Sequence, residues 1–296
     1  MIEYGVHLPL IAFDGRSRTL AELRDYARRA AAAGFTYLCA NDHLLYHRPW
    51  LDGPTALAAT LDAADGMTLA TTVALPVVRG PVATAKLLGT LDVLSESRLI
   101  AGVGAGSSER DYAAAGIPFE ERWARFEDAV LALRALLTPD APAHHGRFYS
   151  TDGIALEPRP RRCPPIWLAS WGSSLGLRRV ARLGDGWLAS GYNTTPDAFR
   201  ERLGELPSLP NGIATMWLHI TDTPERTLTD VLVPLLKRPA EAIRSLGLPI
   251  GTPEQCAERI SAYAEAGAQR IFLWPLADEA RQVERFRESV LPLVGS

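Results

Sequence analysis

Apolar residues along the chain gather into eight short runs, most of them followed by a stretch whose apolar positions recur at helical spacing. The first run, Glu3-Tyr-Gly-Val-His-Leu-Pro9, stops at Pro9. Thr19 then caps a helix from Leu20 to Ala33 that Gly34 ends. The second run, Phe35 to Ala40, ends in Asn41-Asp42-His43 and leads, through a looser segment with Pro49 and Trp50, to a helix over Thr55 to Ala64. Met67 to Leu75 is the third, rich in β-branched residues and stopped by Pro76; Pro81 opens the next helix, through Leu94. The fourth run, Leu99 to Val103, is followed by a long helix from Phe119 to Leu137. Glu120 and Glu121 lie in its first turn, where they complement the helix dipole.

Residues 140–162 interrupt the alternation, and Arg147-Phe-Tyr with Gly153-Ile-Ala-Leu reads as a small hairpin inserted before the fifth run, Pro164 to Ala169. A helix to Leu183, the sixth run Gly186 to Ser190, a helix over Thr195 to Leu206 and the seventh run Ile213 to Thr221 follow. Helical stretches continue to Leu246. Thr252-Pro-Glu-Gln starts a helix with Pro at its first position and Gln three residues after the cap. That helix ends at Gly267, before the eighth run, Arg270 to Trp274, and a last amphipathic helix. The alternation predicts an α/β fold, one (β/α)8 TIM barrel over residues 1–296 with a hairpin insertion before the fifth strand. A doubly wound open sheet is the alternative, because counting runs does not show closure.

Composition narrows the function rather than the fold. A net charge of −3 over 296 residues, with no basic stripe, argues against nucleic-acid and membrane-surface partners. No leader-like pattern precedes the first strand, and no apolar run is long enough to span a bilayer. Cys39, Cys163 and Cys256 are scattered and odd in number, so reduced thiols and a cytoplasmic location are expected.

In a barrel of this kind the C-terminal strand ends share the face that hosts the active site. The residues there are His7, Asn41-Asp42-His43, Thr71-Thr72, Gly104 to Ser107, Ser170 to Ser174, Ser190 to Asn193, His219 and Trp274. This polar, glycine- and aromatic-rich collar suits an uncharged planar cofactor with a phosphorylated tail better than a di-metal centre. Gly102, Gly104 and Gly106 lack the spacing of a dinucleotide fingerprint and the Lys of a P-loop. His43 is the leading acid or base, with Asp42 beside it to orient a partner or bond a ring nitrogen. The competing reading makes Asp42 a cap and His43 a satisfied core group. Ser170-Trp171-Gly172-Ser173-Ser174 precedes a helix bearing Arg178 and Arg179, which fits either a phosphate site or an ordinary serine cap. His7 and His219 read as structural, Trp167, Trp187 and Trp217 as filling, and His144-His145, Arg122 and Arg125 as solvated.

Several stretches then resemble one family. Arg98-Leu-Ile-Ala-Gly-Val-Gly-Ala-Gly, Ile117-Pro-Phe-Glu-Glu-Arg with Arg125-Phe-Glu, Gly146-Arg-Phe-Tyr, Pro165-Ile-Trp, Arg182-Leu-Gly-Asp-Gly-Trp187 and Gly251-Thr-Pro-Glu-Gln-Cys-Ala-Glu-Arg occur in order over nearly the whole chain. Together they are similar to the luciferase-like oxidoreductases, which comprise bacterial luciferase-type flavin monooxygenases and deazaflavin F420-dependent oxidoreductases. The resemblance implies a (β/α)8 barrel with F420 or FMN across its C-terminal mouth. Asp42 and His43 resemble the Asp-His pair of the F420-dependent members, where the His acts as acid or base beside the ring. Thr71-Thr72 falls where the family often has a non-prolyl cis peptide backing the ring, and Ser170 to Ser174 matches its phosphate-binding turn. The residues then set against the cofactor are His7, Asn41, Thr71, Thr72, Gly104, Gly106, Ser107, Ser170, Trp171, Gly172, Ser173 and Ser174. Two positions depart from the family: Ser107 and Ser108 stand where some F420-dependent relatives carry a catalytic Glu, and Ala105 where bacterial luciferase carries an Arg.

The function implied is hydride transfer or oxygen activation on a small organic substrate, with a separate flavin or F420 reductase and a homodimer as partners to test for. Two other classes compete. A non-catalytic flavin-binding or accessory subunit would keep the barrel without turnover. A metal-dependent barrel hydrolase would need paired histidines at the first strand, which the chain lacks.

Overall fold

The computed structural model describes residues 2–295. Its first half runs β1 (Glu3–His7), α1 (Leu20–Ala32), β2 (Tyr37–Ala40), α2 (Gly53–Ala59), β3 (Thr68–Thr71), α3 (Pro81–Leu94), β4 (Leu99–Val103), α4 (Glu109–Ala114) and α5 (Arg122–Leu137). The second half runs β5 (Ile166–Ala169), α6 (Ser174–Leu183), β6 (Gly186–Ser190), α7 (Pro196–Gly204) and β7 (Asn211–Ile220). Three short pieces follow, α8 (Pro224–Thr227), α9 (Val233–Leu236) and α10 (Ala240–Arg244), then β8 (Ile250–Gly251), α11 (Pro253–Glu265), β9 (Arg270–Pro275) and α12 (Glu279–Arg285). β1 to β7 pair in sequence order, and β9 hydrogen-bonds to both β7 and β1, all in parallel. The ring of eight is therefore closed, which excludes the open sheet. β8 is a two-residue piece on the far end of β7, outside the ring.

Two apolar layers hold this arrangement. Tyr37, Cys39, Ala70, Ile100, Trp167, Leu188, Ala214 and Phe272 fill the barrel interior, and a larger cluster joins the outer strand faces to the helices. The interior aromatics fit because neighbouring strands carry glycine at the point of contact: a Cβ on Gly186 would strike the Trp167 indole. Helix starts follow local chemistry. Thr19 accepts from the Glu22 N–H while the Glu22 carboxylate takes the Thr19 N–H, and Thr252 and Gln255 repeat this reciprocal cap on α11.

Several boundaries differ from the sequence pattern. β3 ends at Thr71 rather than Leu75, because the chain leaves the sheet through a cis peptide between Thr72 and Val73 before Ala74 resumes pairing beside Val103. The cis bond is thus one residue later than Thr71-Thr72. α2 starts at Gly53, since the Asp52 carboxylate accepts the Thr55 N–H, and α4 is a helix the pattern did not separate.

The insertion holds one antiparallel bridge, His145 to Ser150, and Gly153 to Leu156 joins no ladder. What fixes it is a carboxylate. Asp128 on α5 is buried and accepts from the Phe148 and Tyr149 N–H groups, at 2.5 and 3.1 Å, and lies 2.5 Å from His144 Nε2. His144 is therefore a structural anchor and not a solvated residue. Arg125 is likewise covered, paired with Glu121 at 2.7 Å and lying over the Phe148 ring. Hydrogen bonds to a charged group contribute about 1.5–3 kcal/mol each and do not add fully within one cluster, so Asp128→Ala, which loses three, is expected to destabilise the fold by at least about 3 kcal/mol. It should also open the insertion to trypsin at Arg147; unchanged cleavage at that site would show another anchor.

Candidate active site

The strand ends that face one way bring most of the predicted collar together. His7 ends β1 and has no exposed surface. Its ring stacks on Trp274 at the end of β9, with centroids 4.6 Å apart and planes 8° apart. His7 Nε2 accepts the Thr215 N–H at 3.3 Å, His7 Nδ1 lies 3.4 Å from Thr72 Oγ1, and Thr72 Oγ1 lies 3.3 Å from Asn41 Oδ1. Thr71 stands apart from this group, since its hydroxyl donates to Gly102 O at 2.7 Å. Gly102 permits that approach, because a Cβ there would overlap the Thr71 carbonyl.

Burial lowers the His7 pKa from 6.5 to about 3, against a smaller opposing influence of the nearby Asn41 side chain. The consequence for stability has a definite sign. The unfolded chain takes up a proton near pH 6.5 and the native chain does not until about pH 3. Stability is therefore complete above pH 6.5 and falls as the pH drops toward 3, with a slope of about 1.4 kcal/mol per pH unit from this residue. Urea unfolding of the native chain and of His7→Gln at pH 7, 6 and 5 should give the shallower slope in the variant. Equal slopes would remove His7 from the acid sensitivity.

At the end of β2 the adjacent Asp42 and His43 turn to different partners. Asp42 is buried and accepts from Arg79 at 2.6 and 2.5 Å and from the Leu75 N–H at 3.3 Å. Arg79 also binds Asp52, the cap of α2. His43 instead meets Asp111, whose Oδ2 lies 3.0 Å from Nδ1. Asp111 is buried on α4, and its other oxygen accepts the Leu45 N–H at 2.8 Å. Burial alone would raise its pKa; the hydrogen bonds from His43 and Leu45 outweigh that and hold it below the ordinary carboxylate value. An ionised carboxylate only accepts, so Nδ1 carries a proton, and in the neutral ring Nε2 is the nitrogen with the lone pair. Among the described residues His43 Nε2 has no protein partner.

Asp111 was not among the predicted site residues. Its local signal, Ser108 capping a helix three residues earlier, marks a helix start; its partner lies 68 positions away. Trp50 and Tyr46 lie in the loop Leu44 to Gly53, which the sequence places along the substrate pocket without singling out either residue. Their rings pack on His43 at 4.7 and 5.3 Å, Trp50 meets Trp274 edge-on at 5.7 Å, and Trp217 stacks on Trp274 at 5.0 Å. An unbroken aromatic wall thus joins His43 to His7. The indole N–H groups of Trp50, Trp217 and Trp274 are buried with no acceptor, and leaving a buried donor unpaired is unfavourable.

The remaining collar residues lie on β4, β5 and the loops that follow. Gly104 packs against Val73 and Ala169, Gly106 turns with φ 82°, and Ser107 is exposed beyond it. Ser170 Oγ accepts the Gly172 N–H at 3.2 Å, and Ser173 caps α6 by accepting the Gly176 N–H at 3.2 Å. Ser174 and Trp171 are exposed at the same helix start. Of the two arginines on α6, Arg179 is consumed by Glu127 and the Trp123 ring, whereas Arg178 is exposed. His219 is not in the collar: it lies past the barrel, paired with Ile250, and its Nδ1 is 2.7 Å from Thr227 Oγ1. Among the described residues no three His, Cys, Asp or Glu side chains converge as a metal site would require, and no helix is long and apolar enough to cross a membrane.

Comparisons with known proteins bear on the family and the fold. The profile of the luciferase-like monooxygenase family matches residues 7–209. An F420-dependent glucose-6-phosphate dehydrogenase of Beutenbergia cavernae is 28% identical over 92% of this chain and 92% of its own length. One of the same name from Intrasporangium calvum is 34% identical over 57% of this chain, and the match spans about half of that relative, 53%. Among solved structures, an F420-dependent secondary alcohol dehydrogenase in complex with an F420-acetone adduct superposes with a TM-score of 0.80, covering 100% of this chain and 99% of that one at 19% identity.

Proposed function

Because the chain belongs to the luciferase-like monooxygenase family, we propose that it is an F420-dependent oxidoreductase acting on the hydroxyl or carbonyl group of a small organic substrate. The observation that carries this reading is the His43–Asp111 pair, an imidazole held in one tautomer with its Nε2 free at the barrel mouth. The residues present fit a flat, uncharged ring with an anionic tail. Three buried indole donors lack acceptors, which a ring bearing carbonyl oxygens would supply. The start of α6, with Ser173 and Ser174 and no acidic residue in its first turn, would hold the tail.

When bound, the deazaflavin supplies a two-electron hydride carrier. The chain's own contribution is position and proton handling. Asn41, Thr72, Gly104 and Ser170 to Ser174 would hold the cofactor, and the wall of Tyr46, Trp50, Trp217 and Trp274 excludes water beside His43. His43 Nε2 takes the proton of a substrate hydroxyl as it is oxidised, or returns one to a carbonyl oxygen in the reverse direction. Asp111 stabilises the imidazolium formed in between without itself taking the proton.

Anaerobic titration with F420 and with FMN in both redox states, followed by cofactor fluorescence, tests the reading. Tight binding of F420 with FMN at least tenfold weaker is the expected result. Preferential binding of reduced FMN would replace hydride transfer by oxygen chemistry with a separate reductase, and binding of neither would favour an accessory subunit.

A further inference from the structure

We propose that His7 is a positioning residue, a buried imidazole of fixed tautomer that orders Thr72 and leaves the NH2 group of Asn41 free for the ligand at the barrel mouth. The chain of inference starts from a donor whose direction is not adjustable. Thr215 sits at φ 53° where the register of β7 against β9 shifts between Ile213 and Met216, and its backbone N–H points out of the ladder to His7 Nε2 at 3.3 Å. A ring nitrogen that accepts carries no hydrogen, so the single proton of a neutral His7 is on Nδ1. Nδ1 lies 3.4 Å from Thr72 Oγ1, and a hydroxyl that receives there has its own hydrogen left to give. The acceptor within reach is Asn41 Oδ1, at 3.3 Å. Each link therefore fixes the next: Thr215 to His7, His7 to Thr72, Thr72 to Asn41.

The outcome is a directed amide. With Oδ1 turned to Thr72, the Nδ2 hydrogens of Asn41 have no protein acceptor among the described residues, and Asn41 is two residues from His43 on the same strand end. Burial keeps His7 neutral, so the order of donors does not reverse in the neutral pH range. His7 has no exposed surface and its face is covered by Trp274, so it acts through Asn41 rather than by touching the ligand. The ligand group that Asn41 selects is an acceptor, a carbonyl oxygen or an unprotonated ring nitrogen. That last step rests on the cofactor reading above; the tautomer does not.

Two measurements separate them. In the ligand-free protein labelled with [15N]histidine, long-range 1H–15N correlation should show His7 protonated on Nδ1 and unchanged between pH 5 and 8. The signal is assigned by its loss in His7→Asn. An Nε2-protonated ring, or a pH-dependent mixture, overturns the proposal. For the ligand, His7→Asn keeps a donor where Nδ1 was, and His7→Gln keeps an acceptor where Nε2 was. His7→Asn should leave the F420 dissociation constant within about twofold, whereas His7→Gln should weaken it about tenfold, the scale of one lost hydrogen bond, and shift the bound cofactor's absorption band. Asn41→Ala should lose the same factor, and the His7→Gln, Asn41→Ala double variant no more than either. Equal effects of the two His7 variants, or losses that multiply, would overturn the relay. If the native chain binds neither F420 nor FMN, the cofactor reading fails and the tautomer alone decides the proposal.

Discussion

Replacing His43 with alanine is expected to lower turnover by about 10²–10⁴-fold, the range that a positioned acid or base contributes, with cofactor affinity changed by no more than a few-fold. The separation follows from where the ring is anchored. His43 is held by Asp111 on α4 and by the rings of Tyr46 and Trp50, whereas the residues assigned to the cofactor, Asn41 apart, come from the ends of β3, β4 and β5. Asp111→Asn gives a sharper test of the same geometry. An Asn amide can donate to Nδ1, which would place the imidazole proton on Nε2 and convert a base into a donor without emptying the site. Its loss should therefore be about 10²-fold or more although its volume is unchanged. Because the Asp111 pKa is held below the ordinary carboxylate value, the pair is complete above about pH 4 and is lost only as the pH falls through the native value. A single-turnover rate for His43→Ala within fivefold of the native chain, at saturating cofactor and substrate, would remove His43 from the chemistry.

What the sequence could show of this site follows from which contacts are local. The eight apolar runs and the capping boxes at Thr19 and Thr252 are determined within a few residues, and they place the barrel and its C-terminal face. The same holds for Asn41-Asp42-His43, since the end of a strand is legible from where its apolar run stops. Partner choice is not local. Asp42 follows a strand end and Asp111 a helix cap, yet one is taken by Arg79, 37 positions on, and the other by His43, 68 positions back. No periodicity links those pairs; only the closed barrel does. His144 was misread for the same reason, because Asp128 lies one helix away on α5. β3 was overextended because Val73, Ala74 and Leu75 suit a strand, and the chain does return to pair Ala74 with Val103 after leaving at Thr72.

Arg79→Met is expected to destabilise the native state by about 3–5 kcal/mol, the usual cost of leaving one member of a buried ion pair without its partner. Asp42 has a side chain 1% exposed and receives both Arg79 donors, so its charge has only the Leu75 N–H left once the guanidinium is gone. Arg79 also reaches Asp52, whose carboxylate caps α2 through the Thr55 N–H, so one side chain ties the end of β2 to the start of α2 and to the turn before α3. The fork is what matters. Arg79→Lys keeps the charge but cannot meet two carboxylates in the same way, and it should recover only part of the loss. The double variant Asp42→Asn, Arg79→Met removes the stranded charge, so it should be more stable than Arg79→Met alone, a non-additivity that urea unfolding reads directly. If the double variant is instead the sum of the two single losses, Asp42 and Arg79 are not coupled and the triad is only a surface contact. Coupling carries a consequence for the chemistry, because Asp42 immediately precedes His43. Loosening the Asp42 anchor moves the backbone on which His43 is presented, and Arg79→Met should then lower turnover at temperatures well below its own unfolding.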